Sequence, residues 1–177
     1  MEGVTHAKCK TKYSLDGVVA MWRYRGVLTK AIGQMKYKFV SDMAGEVVEL
    51  AEENLKQLLP HPGVLVPVPL HRRRWRWRGF NQAEIIGEKL ASKWELGFEP
   101  EWLVRRKFKR PQVGLTEEER RKNVKGGFEV NELVLKDKGV DAILFDDVWT
   151  TGATMKEAAR ALKRAGVKRV WGVVLAR

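Results

Sequence analysis

The sequence holds one cysteine, Cys9, so the chain has no internal disulfide framework, and a single thiolate cannot build a tetrahedral structural zinc site. A cytosolic, cytoplasmic location is the default expectation for such a chain. The three histidines, His6, His61 and His71, have no metal-ligand spacing, and no Ser-His-Asp arrangement is suggested. Long apolar runs are missing as well. Val64-Leu65-Val66 and Ala142-Ile143-Leu144-Phe145 are strand-length, far below the roughly 20 residues of a membrane span. No charged-then-apolar leader is read, nor any internal repeat or low-complexity linker. Acid is the scarcer charge: Asp and Glu total 22 against 34 Lys and Arg, a net charge of +12. A field of that sign draws nucleotide phosphates, pyrophosphate or nucleic acid, although a lysine-rich soluble surface carries the same sum.

What is present is enough for one domain. A chain of 177 residues buries roughly 70% of its unfolded surface, and 44% apolar with 32% charged residues excludes extensive disorder. Residues 17–24 read as a strand and 27–37 as a short helix. Ser41-Asp42 offers an N-cap to a longer helix carrying Ala44, Val48, Ala51, Leu55 and Leu58 on one face, stopped by Pro60-His61-Pro62-Gly63. Val64 to Val68 is a buried-type strand. Asn81 and Glu84 resemble a capping box before a stripe of Ala83, Ile86, Leu90 and Trp94. A weak strand near Leu103-Val104 leads into a basic stretch over 105–115, and Thr116 with Glu119 opens another short helix. Phe128 to Val130, Asp141 to Val148 and Val170 to Leu175 read as strands, with a helix over 154–165 stopped by Gly166. Alternation of strands and helices predicts an α/β fold with a mostly parallel, doubly covered sheet.

The strand at 142–148 ends in Asp146-Asp147 and turns through Thr150-Thr151-Gly152-Ala153-Thr154 into a helix. In an open α/β sheet, ligands bind at the carboxyl ends of strands. Free N–H groups at a helix start, a glycine that admits close approach and three threonine hydroxyls suit phosphate. Two adjacent carboxylates repel phosphate, but they suit the 2′- and 3′-hydroxyls of a ribose. A ribose 5-phosphate satisfies both halves, whereas a lone acidic N-cap would need only one of these polar residues.

The segment from Ile143 to Thr154 resembles the signature of type I phosphoribosyltransferases, which bind 5-phosphoribosyl-1-pyrophosphate (PRPP). Trp149 departs from the usual aliphatic residue. The run from Val66 through His71-Arg72-Arg73 to Gly79-Phe80-Asn81-Gln82-Ala83-Glu84, Gln112 to Thr116, Arg120 to Val124 and Val173 to Arg177 are similar to the ComF/GntX group. The similarity spans about residues 18–177. It implies a type I phosphoribosyltransferase fold in a single domain over 1–177, with a small N-terminal hood over about 1–60 and a PRPP-binding core over about 61–177. It further implies that Asp146 and Asp147 are catalytic and hold the ribose, and that Thr150, Thr151, Gly152, Ala153 and Thr154 hold its phosphate. Leu70, His71, Arg72 and Arg73, joined by Lys36, fall at the pyrophosphate-gripping loop, where forked guanidinium groups suit phosphate. Lys109, Arg110 and Gln112 fall on a mobile flap. Magnesium is implied through PRPP, without a protein metal site. The four-cysteine module common in the group has no counterpart here, so no zinc is expected.

The implied reaction moves the phosphoribosyl group from Mg-PRPP to an unidentified acceptor, in connection with competence and DNA uptake. Partners would be PRPP, single-stranded DNA and competence or DNA-processing proteins, with no membrane insertion. Thr150 stands where some purine-transferring relatives carry an acid, which speaks against a purine acceptor, and no obvious general base emerges. The alternative is a non-catalytic PRPP-sensing module for single-stranded nucleic acid. Arg74, Trp75, Arg76, Trp77 and Arg78 alternate cations with aromatic faces, as strand-binding tracks do. Two plainer readings stand beside it: a solvated charged turn with packed tryptophans, and a vestigial site.

Overall fold

In a computed structural model that describes residues 2–4, 11–23, 44–46, 48–50, 63–106, 124–136 and 139–177, strands and helices alternate along the chain. The elements are β1 (Glu2–Val4), β2 (Gly17–Trp22), β3 (Gly63–Pro67), α1 (Arg72–Arg78), α2 (Gln82–Trp94), β4 (Gly97–Phe98), β5 (Leu103–Arg105), β6 (Phe128–Val130), β7 (Asp141–Val148), α3 (Ala153–Arg164) and β8 (Val170–Ala176). Residues 44–46 and 48–50 are also helical, within the helix expected after Ser41-Asp42. The helices expected over 27–37 and from Thr116 lie outside the described residues.

Six strands form one sheet in the order β1-β2-β8-β7-β3-β4. The five from β2 to β4 run parallel, and β1 pairs antiparallel with β2 at the edge. This is the expected α/β architecture, consistent with a type I phosphoribosyltransferase fold. A separate two-stranded antiparallel ribbon joins β5 to β6.

The pleat sorts the apolar residues onto two faces, because successive side chains of a strand point oppositely. Leu65, Ile143, Phe145, Val173 and Leu175 pack with Ile86, Leu90 and Trp94 of α2 and with Ala44 and Val48. Val66, Ala142, Leu144, Val170 and Val174 pack with Met155, Ala158, Ala159 and Leu162 of α3, and with Leu103 and Phe128 of the ribbon. Each such aliphatic side chain contributes about 1.5–3 kcal/mol when fully buried. Both faces are therefore apolar along β7, and a parallel strand buried on both sides reads as a continuous apolar run.

Local chemistry sets the helix ends. Asn81 caps α2 by accepting the Ala83 N–H at 3.2 Å, while its amide donates to the Val68 carbonyl at 3.2 Å. The capping residue thus also holds the loop that leaves β3. Gly87 lets α2 approach β3 closely: a Cβ there would lie 2.9 Å from Leu65 Cδ2. The Gly166 and Val167 amides donate back to Lys163 and Leu162, closing α3 where the sequence places its glycine stop.

One expectation changes in kind. The stretch from Leu70 to Arg78 reads as a loop, yet Arg72–Arg78 is helical. His71 caps its start, and Gly79, in the left-handed region at φ 83°, donates its N–H to the Trp75 carbonyl at its end.

Candidate functional site

The register of the central strands brings two loops to one edge. Pro67 on β3 lies opposite Phe145 on β7, so the 68–71 loop and the 149–152 loop leave adjacent strands at their carboxyl ends. The loop at 68–71 and the start of α1 carry Leu70, His71, Arg72 and Arg73, and the β7–α3 turn carries the acid pair and the threonines. Sequence reasoning predicts this convergence, and the topology delivers it.

The β7–α3 turn is tight. Gly152 caps α3 with φ 69° and ψ 7°, a left-handed conformation that a side chain would strain. A Cβ there would lie 2.2 Å from Cζ2 of Trp149, whose ring packs against the glycine. Lys156 and Arg177 lie 5.6 Å and 5.9 Å from that ring's centroid. The unusual aromatic therefore floors the turn and gathers two cations beside it. The Thr151 hydroxyl accepts the Ala153 N–H at 3.3 Å, and the first helical bond runs from the Lys156 N–H to the Gly152 carbonyl. Thr150 is exposed, and Thr151 and Thr154 are partly so. The start of a twelve-residue helix thus presents amides and hydroxyls at the strand edge.

The two acids are not equivalent. The Asp146 carboxylate accepts the Asp147 backbone N–H at 2.9 Å. Burial, followed by the neighbouring Asp147 charge, pushes the Asp146 carboxyl up to about 8. The cation that opposes this shift is Arg105, at the end of β5. Continuing the alternation of Ala142 and Leu144 turns Asp146 to the face where the ribbon packs, in keeping with that pairing. Arg105 is itself pushed down, chiefly by burial and then by Arg74, while Asp146 pulls it back. Its guanidinium carbon lies 5.3 Å from the Phe128 ring centroid. Within the basic run 105–110, the sequence has no signal that singles Arg105 out, because its position depends on docking of the ribbon.

A cavity of about 630 Å³ opens beside the 68–71 loop, lined by Leu70, Arg72, Trp75, Arg76, Leu103 and Arg105 among others. A second, of about 330 Å³, is lined by Arg72, Val104, Arg106 and Glu129 to Leu133. His71 has both ring nitrogens engaged by backbone groups, one at Arg73 and one at Arg106. The Arg-Trp run divides. Arg74 is half-buried and pushed down by burial and then by Arg78, and Arg78 donates to Gln82 Oε1. Trp75 and Trp77 are 51% and 74% exposed, so they are not packed beneath a loop, and Arg76 is exposed with them. Lys36, Lys109, Arg110 and Gln112 lie outside the described residues. Among the described residues, no group of three His, Cys, Asp or Glu side chains could hold a metal ion. Among them, too, no helix is long and apolar enough to cross a membrane.

No protein-family model matches the chain. Curated relatives do. The chain is 31% identical to competence protein F of Haemophilus influenzae, over 94% of its own length and 76% of that protein's. It is 31% identical to DNA utilization protein YhgH of Salmonella typhi, over 86% of its length and 68% of the relative's. It is 27% identical to competence protein ComFC of Bacillus subtilis, over 83% of this chain and 58% of that protein.

Proposed function

The chain belongs to the ComF family, and from that premise we propose that it binds Mg-PRPP at the carboxyl edge of β3 and β7 and transfers the phosphoribosyl group to an acceptor during DNA uptake. The observation that carries this reading is the β7–α3 turn. An acid pair stands directly beside a glycine-capped helix start, across from the 68–71 loop and the arginine-bearing start of α1. Asp147 and Asp146 would accept from the ribose hydroxyls, and the 151–154 amides and hydroxyls would hold the 5-phosphate. Arg72, Arg73 and Arg105 would face the pyrophosphate end.

Transfer forms a bond from the acceptor's nucleophilic atom to C1 and breaks the C1–O bond to pyrophosphate, which leaves with the electron pair. The acceptor's proton passes to solvent or to the released pyrophosphate. The chain contributes positioning and charge neutralisation. Magnesium prefers oxygen donors and keeps several waters, so it would be held through the pyrophosphate of PRPP rather than in an all-protein cage. It would supply charge neutralisation on the leaving group.

Calorimetric titration of Mg-PRPP into the wild type and into Asp146→Asn/Asp147→Asn tests the reading. The expected result is saturable binding by the wild type and at least a hundredfold loss in the variant. A folded wild type that does not bind removes the proposal.

A second reading has its own support: the exposed Trp75 and Trp77, set among Arg72, Arg73 and Arg76 on α1. Two positions apart on a helix, the rings point to opposite sides, each beside exposed arginines, and base stacking on them fits a PRPP-sensing module that holds single-stranded nucleic acid.

A further inference from the structure

His71 sits in the loop expected to grip pyrophosphate, but its bonds suit a different task. Its Nδ1 accepts the Arg73 backbone N–H at 3.1 Å, and its Nε2 lies 3.1 Å from the Arg106 carbonyl oxygen, 35 positions along the chain. A backbone N–H cannot accept and a carbonyl cannot donate. The two partners therefore fix the ring as the neutral tautomer that carries its hydrogen on Nε2.

Each end of this bridge is anchored. On one side, Asn81 holds the Val68 carbonyl, so the 68–71 loop is tied to α2. On the other, the Arg106 N–H donates to Gly127 at 3.0 Å, and the Gly126 N–H donates to Glu157 of α3 at 2.7 Å. Arg72, adjacent to His71, Val104 of the ribbon and Asn131 just past it line both cavities, so loop and ribbon meet along a shared wall. The larger cavity takes Arg72 from the loop side and Arg105 from the ribbon side.

We infer that His71 is a positioning residue: it docks the β5–β6 ribbon onto the 68–71 loop and so sets Arg72 and Arg105 around one cavity for the pyrophosphate end of the ligand. The pyrophosphate half of this assignment rests on the PRPP reading; the docking half does not. His71 acts through the two arginines and does not itself touch the ligand.

Two variants separate capping from bridging. His71→Asn keeps a good N-cap acceptor but is too short to span to Arg106, whereas His71→Ala loses both. In the unliganded wild type, nitrogen-resolved NMR of the imidazole, assigned by its loss in His71→Asn, should give the Nε2–H tautomer. A Nδ1–H tautomer overturns the docking. Amide hydrogen exchange in β5 and β6 should quicken about tenfold in both variants, with β7 unchanged; unaltered ribbon exchange also overturns it. Calorimetry with Mg-pyrophosphate and with ribose 5-phosphate then tests the ligand half. His71→Asn should bind Mg-pyrophosphate about tenfold more weakly and ribose 5-phosphate as the wild type does. Equal losses for both ligands overturn a specific role at the pyrophosphate end. If the wild type binds neither ligand, the PRPP reading and the ligand half fall together, and the tautomer and exchange results still decide the docking.

Discussion

Asp146 illustrates how one side chain can oppose folding. Its ordinary value of 3.8 rises to about 8 in the fold, so between those values the folded state binds the extra proton. Stability therefore falls as pH rises from about 4 to 8, since the proton must be given up or the charge buried. Asp146→Asn removes that penalty. Thermal unfolding should find the variant about equal to wild type near pH 4 and more stable by on the order of 2 kcal/mol at pH 8.5. An unchanged difference across that range would mean that burial does not hold the proton on Asp146. The partner across the edge, Arg105, is the complementary case: a cation kept largely from water, with Asp146 on one side and Arg74 on the other. Neither shift is written in the local sequence. The acid pair is legible as a motif, but that Asp146 is the acid that meets Arg105 depends on where the β5–β6 ribbon lands.

At the scale of elements, the β7–α3 turn invites a sharper test. Gly152→Ala combines backbone strain at φ 69° with a contact of 2.2 Å to the Trp149 ring. The expected cost is about 2–4 kcal/mol in denaturant unfolding. Adding Trp149→Ala should recover part of the loss relative to Trp149→Ala alone, leaving the αL strain of about 1–2 kcal/mol. No recovery would place the whole cost in the backbone. This turn was legible in the sequence because all of its parts are local: an apolar run, two acids, a glycine, then a helical stripe. The same holds for α2, where Asn81 announces the cap, although it accepts from Ala83. Helix α1 was not legible. Five arginines and two tryptophans give no apolar stripe, and only His71 and Gly79 mark its ends. The short edge strands β1 and β4 were also missed, since two or three residues become a strand only through the neighbour they pair with. Expectations for Lys109, Arg110 and Gln112 rest on similarity alone, because these positions lie outside the described residues.

Over the whole molecule, the charge of +12 and the exposed tryptophans of α1 make a prediction that separates the two functional readings. If the chain holds single strands, affinity falls with salt by a log–log slope of about 0.7 per phosphate neutralised. Replacing Arg72, Arg73 and Arg76 by Gln should flatten the slope by about 2, measured by fluorescence anisotropy with an oligothymidine. Replacing Trp75 and Trp77 by Ala should instead weaken binding by about 1–3 kcal/mol per stacked base and leave the slope alone. Weak binding that ignores both sets of changes would return the tryptophans to plain surface. The sheet order has a separate kinetic meaning. Strand β8 lies between β2 and β7, and Asp16, just before β2, accepts the Val170 N–H across 154 positions of sequence. Nearer contacts can join β3 to β4 and β7 to β8 through their helices, but β2 has no parallel partner until β8 arrives. Such distant pairing slows folding. A chain emerging from the ribosome would therefore hold its earliest core strand open throughout most of synthesis, exposing Val19 and Ala20 to chaperones or to other chains.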